Sequence, residues 1–384
     1  MRQGVVALVF EGGQALEGGE GVEGVMTSIR REICLDTIER LLAAPSFDAV
    51  VLVTSDDELA HRAADLGARV ERTARDGFRM GPWLLGFVEG WDLESVVCLG
   101  GASAPLATSG DFETIAAALA AGEGSEGVVV ANNLYSADIV GFRPAGALRR
   151  IHLPDDDNFL AYLLQEAGLK AVILPEGPVY DFDVDTPADL AVLALHPRAG
   201  GRCAGAVEKA GWGEGLLAGV MDKLRQPHPR AFLAGRVSPG VMAFIRGALK
   251  WRLRVVSEER GMKAFRKEAS DEVRSITGSL VDCLGDERFL EYIGEISDVA
   301  FIDTRVLFSH WGLTPSVSDR YNSDLKRPGD IFDSRVRAFT RAAAGSRVPV
   351  ILGGHSLVNG GVWALADTIV QELAARSRIT SLEF

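Results

Sequence analysis

Residues 5–24 read VVALVFEGGQALEGGEGVEG, an apolar run that passes directly into a glycine-rich loop. The run Val5–Phe10 predicts a buried strand, and the glycines after it let backbone N–H groups approach a ligand. A helical pattern begins at Ser28, which places Arg30 and Arg31 in the first turn of the predicted helix. This order of strand, loop and helix favours phosphate binding. An ordinary surface loop is the alternative, since the residues match neither GxGxxG nor the P-loop pattern.

Outward from this stretch, short apolar runs alternate with helical patterns as far as residue 195. The order predicts an α/β fold with a Rossmann-like, mostly parallel sheet that helices cover on both faces. Ligands of such sheets bind outside the carboxyl ends of the strands. The predicted strands are Val5–Phe10, Ala49–Thr54, Ala68–Arg72, Ser95–Gly100, Gly127–Ala131, Ile139–Phe142 and Ala171–Leu174, and the predicted helices are Ser28–Ala43, Glu58–Leu66, Asp111–Ala121 and Asn158–Glu166.

A break in this alternation at residues 196–205, HPRAGGRCAG, predicts a domain boundary. The chain has 384 residues, enough for two domains of ordinary size. We therefore predict domains at 1–198 and 206–384, the second a smaller α/β domain. Its predicted strands are Arg252–Ser257, Val299–Phe308 and Val348–Leu352, and its predicted helices lie near Ser279–Ile296, near Ser334–Ala344 and at Val362–Arg376.

Acidic residues dominate the first half of the chain. Residues 1–200 hold 14 Lys and Arg against 31 Asp and Glu, and the first lysine is Lys170. This excess argues against nucleic-acid binding. No apolar run reaches the ~18–20 residues that cross a bilayer, so we expect a cytoplasmic protein with no membrane partner. The four cysteines form no CxxC pair, and we expect all four to be small buried residues rather than disulfide or zinc ligands.

A cluster of aspartates occurs in YDFDVDTPADL, residues 180–190. Asp181, Asp183 and Asp185 alternate along a segment that we expect to be extended, which would turn all three towards one face and suit a divalent cation such as Mg²⁺. Thr186 is the predicted N-cap of a helix whose first residue is Pro187. The alternative is that Asp185 or Thr186 only caps this helix.

The segment DVDTPADL, residues 183–190, resembles the closing motif of the GT-A-fold nucleotidyltransferases, the MobA-like group. Other segments resemble parts of that family in the same order. RREICLDTIERLLAA is similar to its first helix, VVLVTSDDELAHRAADLGARV to its second strand, helix and third strand, SVVCLGGASAPLAT to its central strand, and GVVVANNLYSADIVGF to its acceptor-binding strands. The resemblance covers about residues 1–195 and is closest to the phospholactate guanylyltransferase branch. The second domain does not belong to the pattern.

The resemblance implies transfer of a nucleoside monophosphate from GTP or CTP to a small phosphorylated or carboxylated acceptor, with release of pyrophosphate. It implies Mg²⁺ as the cofactor, held by Asp185 with Asp183. The residues implied for the nucleotide are Gly12, Gly13, Arg30, Arg31, Gly101 and Ser103, and those for the acceptor are Asn132, Asn133, Tyr135 and Ser136. A turn stabilised by asparagine side chains is the alternative for the acceptor group. A homodimer is compatible with the sequence.

Two departures from the family pattern bear on activity. No carboxylate stands between Gly100 and the Pro105-Leu106 pair, where the family carries a second metal-binding aspartate, and the loop Glu11–Gly24 holds neither Arg nor Lys. Phosphoryl transfer depends on positive charge at the phosphates. The alternative hypothesis is therefore a degenerate domain that binds a nucleotide or metabolite, or supports assembly, with any active site in the second domain.

In that second domain, two polar stretches could carry chemistry. The stretch 303–324 is predicted to place Asp303 on a strand and His310 and Arg320 in its exit loop, and VPVILGGHSLVNGG, residues 348–361, predicts an anion site at Gly354, His355 and Ser356. An internal Asp–Arg network that only fixes the loop is the alternative for the first stretch. The second resembles a nucleophile elbow but lacks the final glycine of GxSxG.

Overall fold

The computed structural model describes residues 4–12, 21–74, 77–122, 127–155, 159–217, 219–258 and 274–382. The chain forms two compact units. The first comprises Met1–Glu17, Thr27–Asp183 and Gly200–Cys203, and the second comprises Gly18–Met26, Val184–Ala199 and Ala204–Phe384. Residues 184–198, which belong to the first predicted domain, thus lie in the second unit.

Seven strands form the sheet of the first unit, in the order β3-β2-β1-β4-β6-β5-β7. All neighbouring pairs are parallel except those of β6, which runs antiparallel to β4 and β5. The mostly parallel sheet of the prediction is confirmed. The strands are β1 Val5–Phe10, β2 Phe47–Thr54, β3 Arg69–Arg72, β4 Val96–Gly100, β5 Val128–Ala131, β6 Ile139–Arg143 and β7 Lys170–Ile173.

Helices cover both faces of this sheet, because alternate side chains of each strand point to opposite sides. Along β1, Val5, Ala7 and Val9 join one buried cluster, whereas Val6 and Leu8 join another. The helices from the amino terminus to residue 181 are α1 Val22–Leu42, α2 Asp57–Asp65, α3 Met80–Gly90, α4 Ser109–Ala120, α5 Leu160–Glu166 and α6 Pro178–Asp181, together with a 3₁₀ helix at Ala145–Arg150.

Four parallel strands form the sheet of the second unit, in the order β11-β10-β8-β9. They are β8 Arg230–Gly235, β9 Arg252–Ser257, β10 Val299–Asp303 and β11 Val350–Gly353. The remaining helices are α7 Pro187–Leu195, α8 Gly201–Ala210, α9 Gly213–Leu216, α10 Val220–Leu224, α11 Pro239–Ala248, α12 Ile276–Leu284, α13 Asp286–Ile296, α14 Thr304–His310, α15 Val317–Asp324, α16 Ser334–Ala344 and α17 Val362–Leu382, with a 3₁₀ turn at Pro328–Asp330 and a π-helical turn at Leu357–Gly361.

Several local predictions are wrong. The predicted strand Val299–Phe308 ends at Asp303, because the Asp303 carboxylate accepts a hydrogen bond from the Arg305 N–H and thereby caps α14. The predicted helix Ser279–Ile296 is two helices that meet at Gly285, whose φ of 80° favours glycine. β8 was not predicted. Cys283 is exposed, whereas the other three cysteines are buried, and all four are free thiols.

Two of the corrections concern predicted site residues. α1 begins at Val22 rather than Ser28, so Arg30 and Arg31 lie about two turns into the helix and not at its positive end. Asp181 is not part of an extended segment, because it closes the short helix α6 and accepts a hydrogen bond from the Gly177 N–H. None of the helices in the described part of the chain has the length and apolarity needed to span a membrane.

Candidate functional site

The first candidate site lies where the strand order of the first unit changes direction, between β1 and β4. Ligands bind open α/β sheets at such a point, outside the carboxyl ends of the strands. Glu11 and Gly12 follow β1 there, and Gly101 and Ser103 follow β4. The Gly101 N–H donates to the Phe10 carbonyl at 3.0 Å, and the Ser103 N–H donates to the Gly100 carbonyl at 3.1 Å. Both N–H groups therefore already have backbone partners, one in β1 and one at the end of β4.

Gly12 lies close to the end of β2. A Cβ atom at this position would approach the Ser55 nitrogen to 3.3 Å, and the Ser55 hydroxyl donates to the Gly12 carbonyl at 3.3 Å. The backbone after β1 can pack this closely because glycine has no side chain. Gly13, the next residue implied for the nucleotide, lies outside the described residues.

Carboxylates engage both arginines of this site. Arg30 donates through Nε and Nη2 to the two carboxylate oxygens of Glu11, each at 3.1 Å. Arg31 donates to Asp56 at 2.6 Å and to Glu58 at 2.7 Å. Charge-assisted pairs of this kind compete with any phosphate that approaches the same guanidinium groups. A phosphate must therefore displace Glu11 before it can form the same two hydrogen bonds with Arg30.

The loop after β4 carries no carboxylate of its own, but Glu11 reaches it from β1. A Cβ atom on Gly101 would lie 2.8 Å from Glu11 Oε2 and 2.8 Å from Cys34 Sγ. The Glu11 side chain is only 14% exposed, so its charge is held beside this loop. In the sequence Glu11 is one of the acidic residues of the glycine-rich loop, and no spacing rule identifies it as the partner of Arg30.

The four residues implied for the acceptor form a turn after β5. The Asn132 Oδ1 atom accepts from the Asp138 and Ile139 N–H groups, and its Nδ2 donates to the Tyr180 carbonyl at 2.9 Å. The Asn133 Oδ1 atom accepts hydrogen bonds from the Tyr135 N–H at 2.8 Å and from the Ser136 N–H at 3.2 Å. Both asparagines therefore stabilise the turn itself. The acceptor candidates that follow Asn133 are Tyr135, whose side chain is 48% exposed, and Ser136.

The aspartates of YDFDVDTPADL do not form one group. Burial raises the pKa of Asp181 to about 6, opposed by the hydrogen bond from the Gly177 N–H and assisted by the charge of Glu176. Asp183 is the last residue of its segment of the first unit, whereas Asp185 belongs to the second unit. The two metal ligands that the resemblance implies are thus assigned to different units.

Asp189 stabilises the start of α7. Thr186 is the N-cap, as predicted, and its hydroxyl and the Asp189 carboxylate form a reciprocal capping box with Pro187 at the first helical position. Asp189 is fully buried, and its Oδ1 atom has no hydrogen-bond partner. The pKa of Asp189 is raised to about 8, chiefly by burial and then by the nearby charge of Asp185, against the hydrogen bond from Thr186.

The second candidate site lies in the second unit, at the carboxyl ends of β10 and β11. Arg305 donates to both carboxylate oxygens of Asp324, at 2.8 and 2.7 Å, and Asp324 is fully buried. Arg236 follows β8 and donates through Nε to Asp303 at 2.7 Å. The Asp–Arg network that the sequence left open as an alternative is therefore present.

The DTPAD segment belongs to this same cluster. A Cβ atom on Gly354 would lie 3.5 Å from Thr186 Cγ2 and 3.9 Å from Arg305 Nε. The pKa of Arg320 is lowered, chiefly by burial and then by the positive charge of Arg305. The negative charge of Asp185 acts in the opposite direction. The Arg320 Nε atom is buried without a hydrogen-bond partner. Two segments that are far apart in the sequence, around Thr186 and around Gly354, thus lie together in the second unit.

The remaining candidates of the second domain lie apart from one another or are buried. His310, at the end of α14, contacts Asp282 at 3.0 Å through Nε2 and accepts from the Ser275 N–H through Nδ1 at 3.1 Å. It therefore belongs to the surroundings of α12, whereas Arg305 lies at the opposite end of α14. His355 is exposed, but Ser356 is only 3% exposed.

The side chains of the described residues do not form a preformed metal centre. Within the described residues, no group of three His, Cys, Asp or Glu side chains is placed to hold a metal ion. The orphaned Asp189 Oδ1 atom belongs to a buried carboxyl group whose raised pKa favours the protonated form, which is a poor ligand for Mg²⁺. Mg²⁺ held by Asp185 with Asp183 therefore stays a prediction from the resemblance, and we derive no reaction step through the ion.

No family model and no curated protein matches this chain. Solved structures that are similar to it include a cytidylyltransferase from Leptospira borgpetersenii, 16% identical, with a TM-score of 0.39 over 54% of this chain and 93% of that chain. Another is 4-diphosphocytidyl-2C-methyl-D-erythritol synthase from Anaerococcus prevotii, 13% identical, with a TM-score of 0.32 over 54% of this chain and 99% of that chain. The α/β assignment above rests on the strand order of the chain itself.

Proposed function

We propose that the first unit is a nucleotidyltransferase that binds a nucleoside triphosphate at the carboxyl ends of β1 and β4. The observation that carries the proposal is the strand order, which changes direction between these two strands and places Gly12 and Gly101 at the change. A sheet of this topology binds its ligand at that point.

The proposed reaction transfers a nucleotidyl group to a small acceptor that carries a phosphate or carboxylate. An acceptor oxygen attacks the α-phosphorus, the bond from that phosphorus to the bridging oxygen of the β-phosphate breaks, and pyrophosphate leaves with the bonding electrons. The chain's own contribution is to position both reactants and to neutralise charge. Arg30 is the cation best placed for the phosphates, once Glu11 has been displaced. Asn133, Tyr135 and Ser136 are the exposed residues of the proposed acceptor turn.

A second candidate function is nucleotide binding without transfer. The Glu11–Arg30 ion pair favours it, because a carboxylate beside the loop after β4 repels an incoming phosphate. The absence of a lysine before Lys170 points the same way. The two functions differ in one measurable product, since only the transferase releases pyrophosphate.

The test is a thermal-shift panel with GTP, CTP, ATP and UTP, each with Mg²⁺ and with EDTA, followed by a pyrophosphate-release assay with small phosphorylated and carboxylated acceptors. We expect one nucleotide to raise the melting temperature, and Arg30→Gln to reduce that rise. Arg149→Gln is the matched control, because Arg149 pairs with Glu89 on the surface of the same unit. Equal shifts in the unmodified chain and Arg30→Gln, or no shift with any nucleotide, would overturn the proposal.

A further inference from the structure

The second unit contains a cavity with arginines in its wall and no assigned role. Its volume is about 780 Å³, within the range of small-molecule sites. Arg327, Arg337 and Arg341 line it, and Asp330 is the carboxylate among the lining residues. The formal charge of the lining is therefore +3 − 1 = +2, in contrast to the acidic surroundings of Glu11 in the first unit.

Two of these arginines are available to a ligand. Among the described residues, no carboxylate forms an ion pair with Arg327 or Arg341. Both side chains belong to exposed residues, so their guanidinium groups can turn towards a ligand. Arg337 is different, since it donates to the Ile331 carbonyl through Nε and to the Phe332 carbonyl through Nη2, both at 2.8 Å. These two hydrogen bonds fix Arg337 and the wall around it.

The N-terminus of α1 adds to the positive potential of the cavity. Gly21 and Val22 line the wall, and Val22 is the first residue of this 21-residue helix. The first N–H groups of a helix have no partner within the helix and carry partial positive charge. Anions bind at such positions even without a basic side chain. The helix end and the three arginines contribute the same sign of charge, which the Glu23 carboxylate in the first turn of α1 partly offsets.

An aromatic ring lies at the same cavity. Phe332 is 89% exposed, the highest value among the exposed large apolar side chains of the described residues. It lies beside the carbonyl groups that hold Arg337, which fixes its backbone. An exposed phenyl ring offers a flat apolar face on which a planar ring can stack. The wall thus combines cations for phosphate with a surface for a heterocycle.

We propose that this cavity binds a phosphorylated small molecule with a planar ring, the chemistry of a nucleoside diphosphate. Arg327 and Arg341 contact the phosphate oxygens, the N-terminus of α1 faces the same group, and the ring lies on Phe332. Guanidinium groups suit this role because their N–H groups match pairs of phosphate oxygens. The site is separate from the proposed nucleotide site of the first unit, and it does not depend on that proposal.

The test is calorimetric titration of the full chain with two probes, ADP and inorganic pyrophosphate. We expect both to bind, and Arg327→Gln/Arg341→Gln to weaken the binding of both by about tenfold or more. Phe332→Ala should weaken ADP by about fivefold and leave pyrophosphate nearly unchanged, because only ADP carries a ring. Arg288→Gln is the matched control, as Arg288 is an exposed arginine of the same unit that pairs with Glu291 and Glu295.

Two outcomes would overturn the inference. One is the absence of binding by either probe, and the other is binding that the double arginine variant leaves unchanged. The Arg30→Gln variant keeps this site and the proposed site of the first unit apart. Binding that Arg30→Gln weakens but Arg327→Gln/Arg341→Gln does not would support the first unit alone. Binding that Arg327→Gln/Arg341→Gln weakens but Arg30→Gln does not would support the cavity, even if the chain never releases pyrophosphate.

Discussion

Arg30 and Glu11 form a two-point ion pair at the end of β1, with both hydrogen bonds at 3.1 Å. Arg30 is the cation that we place beside the phosphates, and its side chain is 28% exposed. In this arrangement Glu11 competes with a nucleotide for Arg30. The sheet topology provides a ligand-binding position at the end of β1, whereas the Arg30–Glu11 ion pair weakens the binding of a negatively charged ligand there.

We therefore predict that Glu11→Gln tightens nucleotide binding. The change removes the competing charge and leaves the length of the side chain the same, so we expect a gain in affinity of about three- to tenfold, or roughly 1 kcal/mol. Isothermal titration calorimetry with the nucleotide that gives the largest thermal shift measures it. Glu89→Gln, which removes the surface partner of Arg149, should leave the affinity unchanged. An unaltered affinity in Glu11→Gln would show that Arg30 does not contact the phosphates.

The cap of α7 makes a second prediction. The Thr186 hydroxyl interacts with both the N–H and the carboxylate of Asp189. Thr186→Ala removes this N-cap, and we expect the free energy of unfolding to fall by about 1 kcal/mol. Thr186→Ser keeps the hydroxyl and should retain most of the free energy of unfolding that the cap contributes. Urea denaturation of the three chains measures the differences, and equal losses in the two variants would mean that packing of the Thr186 methyl group, not the cap, stabilises this helix start.

Most of the strands could be predicted from the sequence, because a buried parallel strand is a short apolar run bounded by turn residues. β1, for example, has the predicted bounds. The end of β10 at Asp303 could not be predicted, because Val306, Leu307 and Phe308 are as apolar as strand residues. What ends β10 is a single hydrogen bond, from the Arg305 N–H to Asp303. Apolar content cannot reveal such a cap.

The candidate site was less predictable, since it depends on contacts between residues far apart in the chain. Thr186 could be identified as an N-cap because the pattern T-P-A-D is local. Arg305 and Asp324 are 19 residues apart, and the sequence analysis could only leave their pairing open as one alternative. Nothing in the sequence indicated that Gly354 packs against Thr186, because register between elements is set by tertiary packing.

The buried carboxyl group of Asp189 predicts a pH dependence of stability. Its pKa is about 8 in the folded chain, against about 3.9 in an unfolded one. Between these values the folded chain holds a proton that the unfolded chain has released, so this group's contribution to stability is full below pH 4 and is lost as the pH rises to 8. Asp189→Asn keeps an acceptor for Thr186 but cannot ionise. We therefore expect the variant to gain stability relative to the unmodified chain between pH 5 and pH 8.

Urea denaturation at each pH unit from 5 to 8 measures this relative gain. Its upper limit is about 1.4 kcal/mol per pH unit, the value for one proton. Asp222→Asn is the control, because Asp222 is an exposed aspartate of the same unit. A difference between Asp189→Asn and the unmodified chain that stays constant with pH would mean that Asp189 does not titrate in this range, and that its Oδ1 atom has a partner in solution.

The buried pair of Arg305 and Asp324 makes the last prediction. Both side chains are almost inaccessible, at 8% and 0% exposure, so neither charge is solvated by water if its partner is lost. Asp324→Asn should therefore lower the free energy of unfolding by about 3–5 kcal/mol. The apolar replacement of both residues, Arg305→Met/Asp324→Leu, should cost less than the single change, since it leaves no uncompensated charge. Urea denaturation of the two variants measures this difference in stability. A double variant that is less stable than Asp324→Asn would contradict the prediction, and would mean that Arg305 is held chiefly by its other hydrogen-bond partners, Thr304 and the Gly353 carbonyl.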